Sequence, residues 1–537
     1  MAVTTVSEAG AQRTLLELTG ETLTIEDALD VARRGRTVTL SERATLAIEA
    51  SRRLKQALIT EEIPIYGVTT GFGDSAHRQI SPAKTAQLQQ NILRFMGCGT
   101  GPVAPAEVAR VTMLLRANCL AKGNSGVRAE LVERLLELLG HDVLPLIPER
   151  GSVGASGDLT PLSYVGRMLA GDGQVSHDGA TRPAAEVLAE LGLAPFRLEA
   201  KEGLALTNGT SFMSAFACLA VGAARELADT ADLLTAMASE AILGNRGHFN
   251  AFLFDTAKPH PGMVTSARNI REHLATSRLA LDSDDIFAAG AGMQGAHFRQ
   301  LERHVQDKYS IRCAPHVTGV LRDVLQWVSE WLSTEINSSD DNPLFNVSGG
   351  RVESGGNFYG GHIGQAMDSL KVALANLCDL LDRQLELVVD EKFNVGLTPN
   401  LIAFVPPDDP EAGLHHGFKG LQICCSAMTA EAMKLCNPAT IHSRSTECHN
   451  QDKVSMGTIA ARDARTIVEL AQHVAAFHLI ACCQALELRG VERASERTRE
   501  AFQLVREHVA FLDRDRYWDE DIAAAAELVR SGRLASP

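Results

Sequence analysis

The feature that most constrains the fold of this chain is a long stretch without helix breakers. Residues 458–489 contain neither proline nor glycine, and glycines stand immediately before and after them. At roughly 1.5 Å per residue, an α-helix over this stretch would be about 45 Å long. A helix of that length needs long neighbours to cover its apolar side. The sequence therefore predicts a bundle of long helices.

A second pattern supports the same fold class. Five leucines follow the i, i+4, i+7, i+11, i+15 spacing of one helix face: Leu370, Leu374, Leu377, Leu381 and Leu385. Aromatic residues make up only 5% of the chain, whereas a β-sandwich or barrel usually needs more of them. We therefore expect a mainly all-α protein with a long central helical bundle.

The length of the helical patterns changes along the chain, which predicts how the domains are divided. Residues 1–20 are polar and have no sustained period, so we expect a flexible tail. Over residues 21–206, short helical patterns alternate with glycine- and proline-bearing turns, which indicates a smaller N-terminal domain. The patterns then lengthen, and we expect residues 207–537 to form the long helical bundle domain.

The charge balance argues against nucleic acid as a partner. The 537 residues include 51 Lys and Arg against 66 Asp and Glu, so the net charge is −15. Binding to phosphates requires a basic face, which this excess of acidic residues does not favour.

Cysteine usage and apolar segments bear on the compartment. Eleven cysteines are scattered along the chain without a CxxC pair, so we expect a cytoplasmic protein with reduced thiols rather than a disulfide framework or a zinc site. Residues 1–13 lack the basic-then-apolar pattern of a signal peptide. The most apolar stretch, residues 211–224, has fourteen residues and is too short to span a bilayer.

Several weaker motifs have simpler explanations. Residues 290–295 fit GxGxxG, but no β-branched strand precedes them, so a loop or helix junction is favoured over a dinucleotide site. The adjacent His415 and His416 cannot both face one metal ion from a helix or strand. Ser156 lacks the glycine two places later that the nucleophile elbow of a serine hydrolase requires. We therefore expect neither a metal nor a nucleotide cofactor.

Residues 151–159 (GSVGASGDL) carry the strongest local signal. One interpretation is a glycine-rich turn in which Asp158 caps the following helix. The other interpretation is chemical: if the amide nitrogen of Gly157 is pushed against the carbonyl of Ala155, the backbone can cyclise, and only small residues allow so close an approach. Loss of water, including the hydroxyl of Ser156, would then leave a methylidene group on a five-membered ring. That product is an electrophile which no ordinary side chain supplies.

Residues 154–162 (GASGDLTPL) resemble the signature of the aromatic amino acid ammonia-lyases and aminomutases. Members of this family form a methylidene-imidazolone group, MIO, from an Ala-Ser-Gly tripeptide. The resemblance extends over most of the chain, because five further motifs occur in the family's order. They are residues 65–73 (IYGVTTGFG), 204–210 (LALTNGT), 306–312 (QDKYSIR), 355–358 (GGNF) and 450–452 (NQD).

The resemblance implies an almost all-helical homotetramer whose active sites draw residues from three chains. Ala155, Ser156 and Gly157 would form the MIO electrophile that takes up the amine of an aromatic amino acid. Tyr66 would be the base that removes the β-proton. Because tyrosine is mostly protonated near neutral pH, nearby dipoles would have to activate Tyr66.

The motifs also imply which residues bind the substrate. Arg312 would hold its carboxylate through two parallel hydrogen bonds, and Asn208 would contact the carboxylate and the MIO oxygen. Tyr309 stands three residues before Arg312, which places both on one face of a helix, so that Tyr309 could serve the MIO group. Further residues that the resemblance assigns to the substrate site are Leu204, Gln306, Asn342, Phe358 and Lys419.

Glu447 and Gln451 are four residues apart, a spacing that puts them on one face of a helix. Phenylalanine-type members of the family carry Glu and Gln at these positions, whereas histidine-specific members carry Glu where Gln451 stands. The pair therefore argues against a histidine substrate. Its simpler interpretation is a polar pair that stabilises a helix.

Phe95 and Met96 lie in a segment that resembles the selectivity region of the family. Tyrosine-preferring members place His where Phe95 stands, because His can bond the phenol hydroxyl. Burying a hydroxyl unpaired costs roughly 1–3 kcal/mol, so the segment favours a plain phenyl ring, although two ordinary core residues would make the same prediction. We expect deamination of phenylalanine to cinnamate, with a phenylalanine aminomutase or a tyrosine or histidine ammonia-lyase as alternatives.

Three departures from the family pattern leave the fine substrate preference open. Asp340 stands where the family usually shows Asn, Thr207 replaces a common apolar residue, and Phe212 is bulky for its position. An inactive helical scaffold is a further alternative. It is disfavoured because the five residues whose loss would abolish activity are all present: Tyr66, Ser156, Asn208, Tyr309 and Arg312.

Overall fold

The structure, a computed structural model, describes residues 14–534 apart from residues 290, 291, 294, 296 and 302. Within these residues the chain forms eighteen α-helices and nine short strands. The protein is therefore mainly α-helical, as the long helical patterns predict.

Short elements make up the chain as far as Thr207. In chain order they are β1 (Thr14–Leu18), α1 (Ile25–Ala32), β2 (Arg36–Leu40), α2 (Glu42–Thr60), α3 (Thr85–Met96), β3 (Thr100–Val103), α4 (Ala106–Ala121), α5 (Ala129–Gly140), β4 (Leu144–Pro145), β5 (Pro148–Arg150), α6 (Leu159–Leu169), β6 (Gln174–His177), β7 (Ala180–Pro183), α7 (Ala184–Glu190) and α8 (Glu202–Thr207).

Longer helices dominate the rest of the chain. The elements are α9 (Ser211–Ala241), α10 (Pro261–His273), α11 (Ser283–Ala289), α12 (Tyr309–Arg312), α13 (Ala314–Glu335), β8 (Leu344–Asn346), β9 (Arg351–Glu353), α14 (Gly361–Val389), α15 (Lys419–Lys434), α16 (Gly457–Arg489), α17 (Glu496–Arg506) and α18 (Asp519–Arg530). Short 3₁₀ turns lie at Gly73–His77, Pro82–Lys84, Arg246–Phe249, Pro399–Leu401, Thr440–His442 and Val491–Arg493, and one π-helical turn lies at Phe252–Ala257.

The two strongest helical patterns of the sequence are confirmed. The five leucines of the predicted stripe all lie on α14, and all are fully buried. The predicted helix over residues 458–489 is α16, which begins one residue earlier at Gly457. It is followed by Gly490, whose φ of 88° is in the left-handed region that favours glycine at a helix end.

The strands are short and pair with near neighbours. β1 and β2 are parallel, with Thr14 opposite Arg36 and Leu18 opposite Leu40. β3 pairs with β5, β4, β6 and β7 form a three-stranded sheet, and β8 and β9 form a hairpin, all antiparallel. These small sheets are minor elements of a mainly helical fold.

Strand β1 lies inside the stretch 1–20 that was expected to be a flexible tail, so the structure differs from that expectation. Leu16 and Leu18 alternate with exposed neighbours and are buried, which is the two-residue period of a half-buried strand. The polarity of the stretch conceals this short alternation. The remaining part of the predicted tail, residues 1–13, lies outside the described residues.

Two helices are long and apolar enough to cross a membrane by length and composition alone. They are Ser211–Ala241, with 31 residues, and Gly457–Arg489, with 33. The apolar stretch at residues 211–224 forms only the first part of the longer helix, because the charged residues Arg225 and Glu226 do not end it. In each helix 78% of the apolar window is buried inside the protein, as in the core helix of a globular fold.

The described chain divides into two compact units, and neither is one continuous stretch. The first unit comprises residues 14–222, Ser329–Asp368 and Pro438–Arg462, and the second unit comprises the remaining segments. This differs from the predicted boundary between residues 206 and 207. The boundary falls inside α9, and two later segments return to the first unit. Contacts between distant residues decide this division, and a sequence pattern does not display them.

Three helices of the first unit position the candidate site. Helices α3, α6 and α8 pack against one another, and α6 begins directly after the Ala-Ser-Gly loop. Helix α4, which is buried over most of its length, packs against α1, α2 and α5. The loop therefore lies on a well-packed helical base.

Candidate active site

The loop between β5 and α6 carries the Ala-Ser-Gly tripeptide in an unusual backbone conformation. Ser156 has a φ of 54°, in the left-handed region that residues with side chains adopt rarely. Gly157 has a φ of 74°, and a Cβ atom at this position would overlap the carbonyl oxygen of Gly209. The loop therefore requires glycine at position 157 and holds Ser156 in a strained conformation.

Residues 208 and 209 hold the carbonyl group of Ser156. The side-chain amide of Asn208 donates a hydrogen bond of 2.8 Å to the carbonyl oxygen of Ser156, and the backbone N–H of Gly209 donates a second one of 3.3 Å. The carbonyl oxygen of Gly209 in turn accepts a hydrogen bond of 2.7 Å from the N–H of Asp158. Two N–H groups on one carbonyl oxygen stabilise negative charge that develops there.

Asn208 also has an unused acceptor. Its Oδ1 atom is buried and has no hydrogen-bond partner among the residues that the structure describes. A buried amide oxygen without a partner is costly. The arrangement therefore suits a bound donor, such as an amine.

Asp158 anchors the end of the loop. It occupies the N-cap position of α6, as predicted, but its side chain makes no capping hydrogen bond. Its carboxylate instead accepts hydrogen bonds from the Ser152 hydroxyl at 3.0 Å, from the Met213 N–H at 2.8 Å and from the Thr458 hydroxyl. Burial raises the pKa of Asp158 to about 6, although these donors act in the opposite direction. The loop is thereby tied to the beginnings of α9 and α16.

Tyr66 accepts a hydrogen bond of 2.9 Å at its hydroxyl oxygen from the N–H of Gly73. The next N–H, that of Asp74, donates to both oxygens of the Glu447 carboxylate, at 3.1 and 3.0 Å. Burial raises the pKa of Tyr66; the Gly73 N–H opposes this rise, and the Glu447 charge adds to it. Within one chain, the surroundings of Tyr66 favour its protonated form and do not supply the activation that a base needs.

A cavity of about 590 Å³ joins these groups, a volume typical of small-ligand sites. Its apolar lining residues are Phe72, Leu88, Ile92, Phe95, Met96, Ala155, Leu159, Leu204 and Phe358. Its lining residues with polar side chains are Tyr66, Ser75, Ser156, Asn208, Asn342, Glu447, Asn450, Gln451, Asp452 and Lys453. The lining can hold a small molecule that combines an apolar group with polar groups.

Helix α3 supplies one apolar face of this cavity. Leu88, Ile92 and Phe95 follow the i, i+4, i+7 spacing of one helix face, and all three line the cavity. The Phe95 ring is 53% exposed within the chain and lies 6.2 Å from the ring of Phe72. Sequence reasoning missed Leu88, although its spacing from Phe95 could have identified it. Lys453 was also missed, and nothing in the sequence distinguished it.

The profile of the aromatic amino acid lyases matches residues 23–507. The chain belongs to this family. It is 39% identical over 521 residues to the tyrosine ammonia-lyase of Cupriavidus metallidurans, covering 96% of both chains. It is 40% identical over 522 residues to the histidine ammonia-lyase of Gloeobacter violaceus, covering 97% of this chain and 96% of the relative.

A third relative provides a structural comparison for this family member. The MIO-dependent tyrosine 2,3-aminomutase of Streptomyces globisporus is 38% identical, with 96% of this chain and 95% of the relative covered. A crystal structure of the tyrosine aminomutase from that organism superposes with a TM-score of 0.93 and covers 97% of this chain and 98% of its own. The helical fold is therefore the fold of this family.

The loop of this aromatic amino acid lyase fits the MIO group on which the family depends. Ala155, Ser156 and Gly157 are present unchanged, and the space around Gly157 admits only glycine. The Ser156 carbonyl oxygen, which would become the ring oxygen, already accepts two hydrogen bonds from Asn208 and Gly209. The free Oδ1 atom of Asn208 adds an acceptor beside the same group.

The expectation that Glu447 and Gln451 share a helix face is wrong. Glu447, Cys448 and His449 have left-handed φ values of 49°, 53° and 64°, so the chain turns where a right-handed helix was expected. Thr446 then pairs with Gln451 across this turn. An i, i+4 polar pair does not by itself distinguish a helix from such a turn.

The turn nevertheless brings both residues to the site. The carboxylate of Glu447 binds the Asp74 N–H, and the side-chain amide of Gln451 lies 3.4 Å from the Ser156 hydroxyl. Both line the cavity.

Four predicted site residues belong to the second unit: Gln306, Tyr309, Arg312 and Lys419. As far as the described residues show, none of the four is part of the cavity lining. Tyr309 is 71% exposed, and the Arg312 guanidinium lies 4.4 Å from the centre of its ring, so the prediction that both share one helix face is confirmed. Gln306 and Lys419 are exposed as well.

The structure describes the weaker motifs only in part. Residues 290, 291 and 294 of the GxGxxG motif lie outside the described residues. In the part of the chain that the structure describes, no group of three or more His, Cys, Asp or Glu side chains could hold a metal ion.

Proposed function

We propose that this family member removes ammonia from L-phenylalanine and produces trans-cinnamate. The observation that carries the substrate assignment is the position of Phe95, which lines the cavity next to Met96. Neither side chain can bond a phenol hydroxyl, so a plain phenyl ring fits this wall better than a tyrosine ring. This assignment differs from the two ammonia-lyase relatives described above, a tyrosine ammonia-lyase and a histidine ammonia-lyase.

The electrophile of the proposed reaction is an MIO group formed from residues 155–157. A bond forms between the Gly157 nitrogen and the Ala155 carbonyl carbon, whose oxygen leaves as water; the Ser156 hydroxyl leaves with the α-hydrogen as a second water. The strained φ of Ser156 and the close approach at Gly157 support this cyclisation. Once formed, the group supplies an electrophilic methylidene carbon for the substrate amine.

The chain's own residues then position the substrate and move its proton. Tyr66 is the proposed base for the β-proton, and its hydroxyl oxygen is held by the Gly73 N–H. To act near neutral pH, Tyr66 needs a pKa closer to the working pH than its surroundings in one chain provide. A cation close to its oxygen would lower that pKa.

We propose that this cation comes from a neighbouring chain of a homotetramer. Tyr309 is largely exposed within its own chain, which is what a residue donated to another chain's site would show. Arg312 would bind the substrate carboxylate with its planar fork. Gln306 and Lys419 would enter the site in the same way.

The proposed location is the cytoplasm. All eleven cysteines are free thiols in the structure. Free thiols persist in a reducing compartment.

The second candidate function is an aminomutase, which returns the ammonia to the β-carbon. The structural likeness to the Streptomyces globisporus tyrosine aminomutase favours this candidate. A lyase and an aminomutase would use the same residues of this site, so the product distinguishes them.

The test is a comparison of three substrates. The purified protein is incubated separately with L-phenylalanine, L-tyrosine and L-histidine, and the products are identified by chromatography, including any β-amino acid. We expect cinnamate and ammonia from phenylalanine at a higher kcat/KM than for the other two. A higher value for tyrosine or histidine would overturn the substrate assignment, and β-phenylalanine as the main product would replace the lyase by the aminomutase.

A further inference from the structure

A buried ion pair lies next to the segment that holds Ser156. The guanidinium of Arg116, on α4, pairs with the carboxylate of Asp340, and both side chains are almost completely buried. Arg116 also donates a hydrogen bond of 2.7 Å to the carbonyl oxygen of Asn208. One side chain therefore binds both the carboxylate and the backbone of the segment.

Asp340 holds the next residues of the same segment. Its Oδ2 atom accepts hydrogen bonds of 2.8 Å from both the N–H and the hydroxyl of Thr210. The thiol of Cys119 donates to its Oδ1 atom at 2.7 Å. A Cβ atom at Gly209 would overlap Arg116 and crowd Asp340, so the ion pair packs directly on the backbone there.

Stability alone does not account for such a pair. Removing two charges from water is expensive, and apolar residues of similar volume often stabilise a fold at least as well. Burial acts to raise the pKa of Asp340, but the Arg116 charge and the hydrogen-bond donors outweigh it and hold the pKa below its usual value. The carboxylate is therefore charged, and its four donors fix its orientation.

We propose that the Arg116–Asp340 ion pair positions residues 208–210 so that the Asn208 amide and the Gly209 N–H both reach the Ser156 carbonyl oxygen. The pair thereby supports ring formation and turnover without touching the substrate, and this inference rests on the proposed MIO chemistry. Asp340 stands where the family pattern usually has Asn. In this chain its negative charge gives Arg116 an ionic partner.

The main test is Arg116→Lys, which keeps the charge but loses the fork. A single ammonium group cannot reproduce the geometry in which one guanidinium reaches both the Asn208 carbonyl and Asp340. We expect a smaller fraction of chains to show the two-water mass loss in intact-mass spectrometry. We also expect kcat to fall at least tenfold with KM within about threefold, because a small displacement of catalytic groups can cost about 100-fold in rate.

Two variants of Asp340 distinguish the effect of losing its hydrogen bonds from the effect of changing its side chain. Asp340→Leu removes the acceptors for Thr210 and Arg116, and we expect losses in the two-water fraction and kcat as large as those of Arg116→Lys. Asp340→Asn keeps one acceptor oxygen, and we expect it to recover most of the two-water fraction and to lose less kcat than Asp340→Leu. Equal losses in the two variants would overturn the positioning role.

The matched control for Asp340→Leu is Asp232→Leu in the second unit. Asp232 is fully buried and pairs with Arg322 at 2.6 Å, as Asp340 pairs with Arg116. We expect this variant to lower the melting temperature but to keep the full two-water mass loss. An equal decrease in that mass loss in the control would show that any buried ion pair has the same effect, and it would overturn the proposal.

Two further outcomes are decisive. An Arg116→Lys protein with the complete mass loss and kcat within twofold of the wild type would refute the inference. If Arg116→Lys does not fold, Thr210→Val is measured instead. It removes the hydroxyl that lies 2.8 Å from Asp340 Oδ2 and 2.6 Å from Glu335 Oε1, it changes no charged residue, and kcat should fall at least threefold. A wild type that loses two waters but acts on none of the three amino acids would refute the proposed function alone, since the mass readout needs no substrate.

Discussion

Two regions that the motifs assign to one active site differ in how completely a single chain builds them. The Ser156 loop is held by Asn208, Gly209 and Asp158 through hydrogen bonds within the first unit. The segment at residues 306–312 instead belongs to the second unit, and Tyr309 there is largely exposed. The comparison indicates that the electrophile side of the site depends on contacts within the chain. We expect the carboxylate-binding side to depend on assembly.

The largest effect is expected from Ser156→Ala, which tests the first region. Without its hydroxyl the loop cannot lose the second water, so no methylidene forms. We predict near-total loss of ammonia release. The wild-type intact mass should be lower than the sequence mass by two waters, and an active preparation with the full sequence mass would contradict the proposed electrophile.

The control for this variant is the oligomeric state. The hydroxyl of Ser156 contributes one long contact, the 3.4 Å approach of Gln451, so its removal should leave the assembly intact. Size-exclusion chromatography with light scattering should give the same mass for the variant and the wild type.

The next effect concerns Arg312 and tests the second region. Arg312→Lys keeps the charge but loses the planar fork, and about 1.5–3 kcal/mol of charge-assisted bonding is at stake. We predict that kcat/KM falls on the order of 10- to 100-fold. An unchanged kcat/KM would mean that the substrate carboxylate binds elsewhere.

Mixed assemblies show whether the two regions come from different chains. Ser156→Ala and Arg312→Ala chains are each expected to be nearly inactive alone. If a site combines the loop of one chain with Arg312 of another, random mixing in a homotetramer should restore about a quarter of the sites. Co-expression with two tags isolates the mixed species, and no recovery of activity would show that one chain supplies both groups.

The sequence predicts features that depend on contacts between residues close together in the chain. It does not predict those that depend on contacts between distant residues. The leucine stripe on α14 and the uninterrupted α16 are local patterns, and both appear as predicted. The small residues around Ser156 predict a close backbone approach, but they do not reveal that Gly209 is the neighbour. Contacts between residues far apart in the chain require the fold.

One wrong expectation and one departure from the family pattern have physical causes of the same kind. The Glu447 and Gln451 spacing suits a helix, yet the left-handed backbone at Glu447 makes a turn that reaches the cavity by another route. The departure at Asp340 had no explanation from its neighbours in sequence. Its partner is Arg116, more than two hundred positions earlier.

A smaller change is expected from Phe95→His. Phe95 lines the cavity, and its side chain is about half exposed within one chain. His can bond a phenol hydroxyl, whereas an apolar site rejects an added hydroxyl only modestly. The wild type should therefore keep some tyrosine activity, and the variant should gain tyrosine activity while it loses phenylalanine activity. The measurement is the ratio of kcat/KM for the two substrates in both proteins. If the ratio is the same in both, Phe95 does not contact the substrate ring, and the substrate assignment loses its support.

The smallest predicted effect is the contribution of Asp158 to the pH dependence of stability. It shows whether the loop region is stabilised by contacts within one chain. Burial raises the pKa of Asp158 to about 6 in the folded chain, above the ordinary value of about 3.9 in the unfolded chain. Between these values the folded state holds more protons than the unfolded state, so this group makes the free energy of unfolding decrease as the pH rises. Asp158→Asn removes that contribution. The melting temperature of the wild type minus that of the variant should therefore fall by on the order of 1–3 °C from pH 4 to pH 7.

Buried carboxyl groups that are present in both proteins contribute equally to both melting temperatures. Burial also raises the pKa of Asp232 to about 6, but Asp232 is present in both proteins, so its contribution cancels in the difference. The loop contacts of Asp158 lie within one chain, and we therefore expect the same pH-dependent difference at protein concentrations that change the assembly. A difference in melting temperature that stays constant from pH 4 to pH 7 would show that Asp158 is already ionised in the folded chain throughout this range. The three donors around its carboxylate would then outweigh its burial.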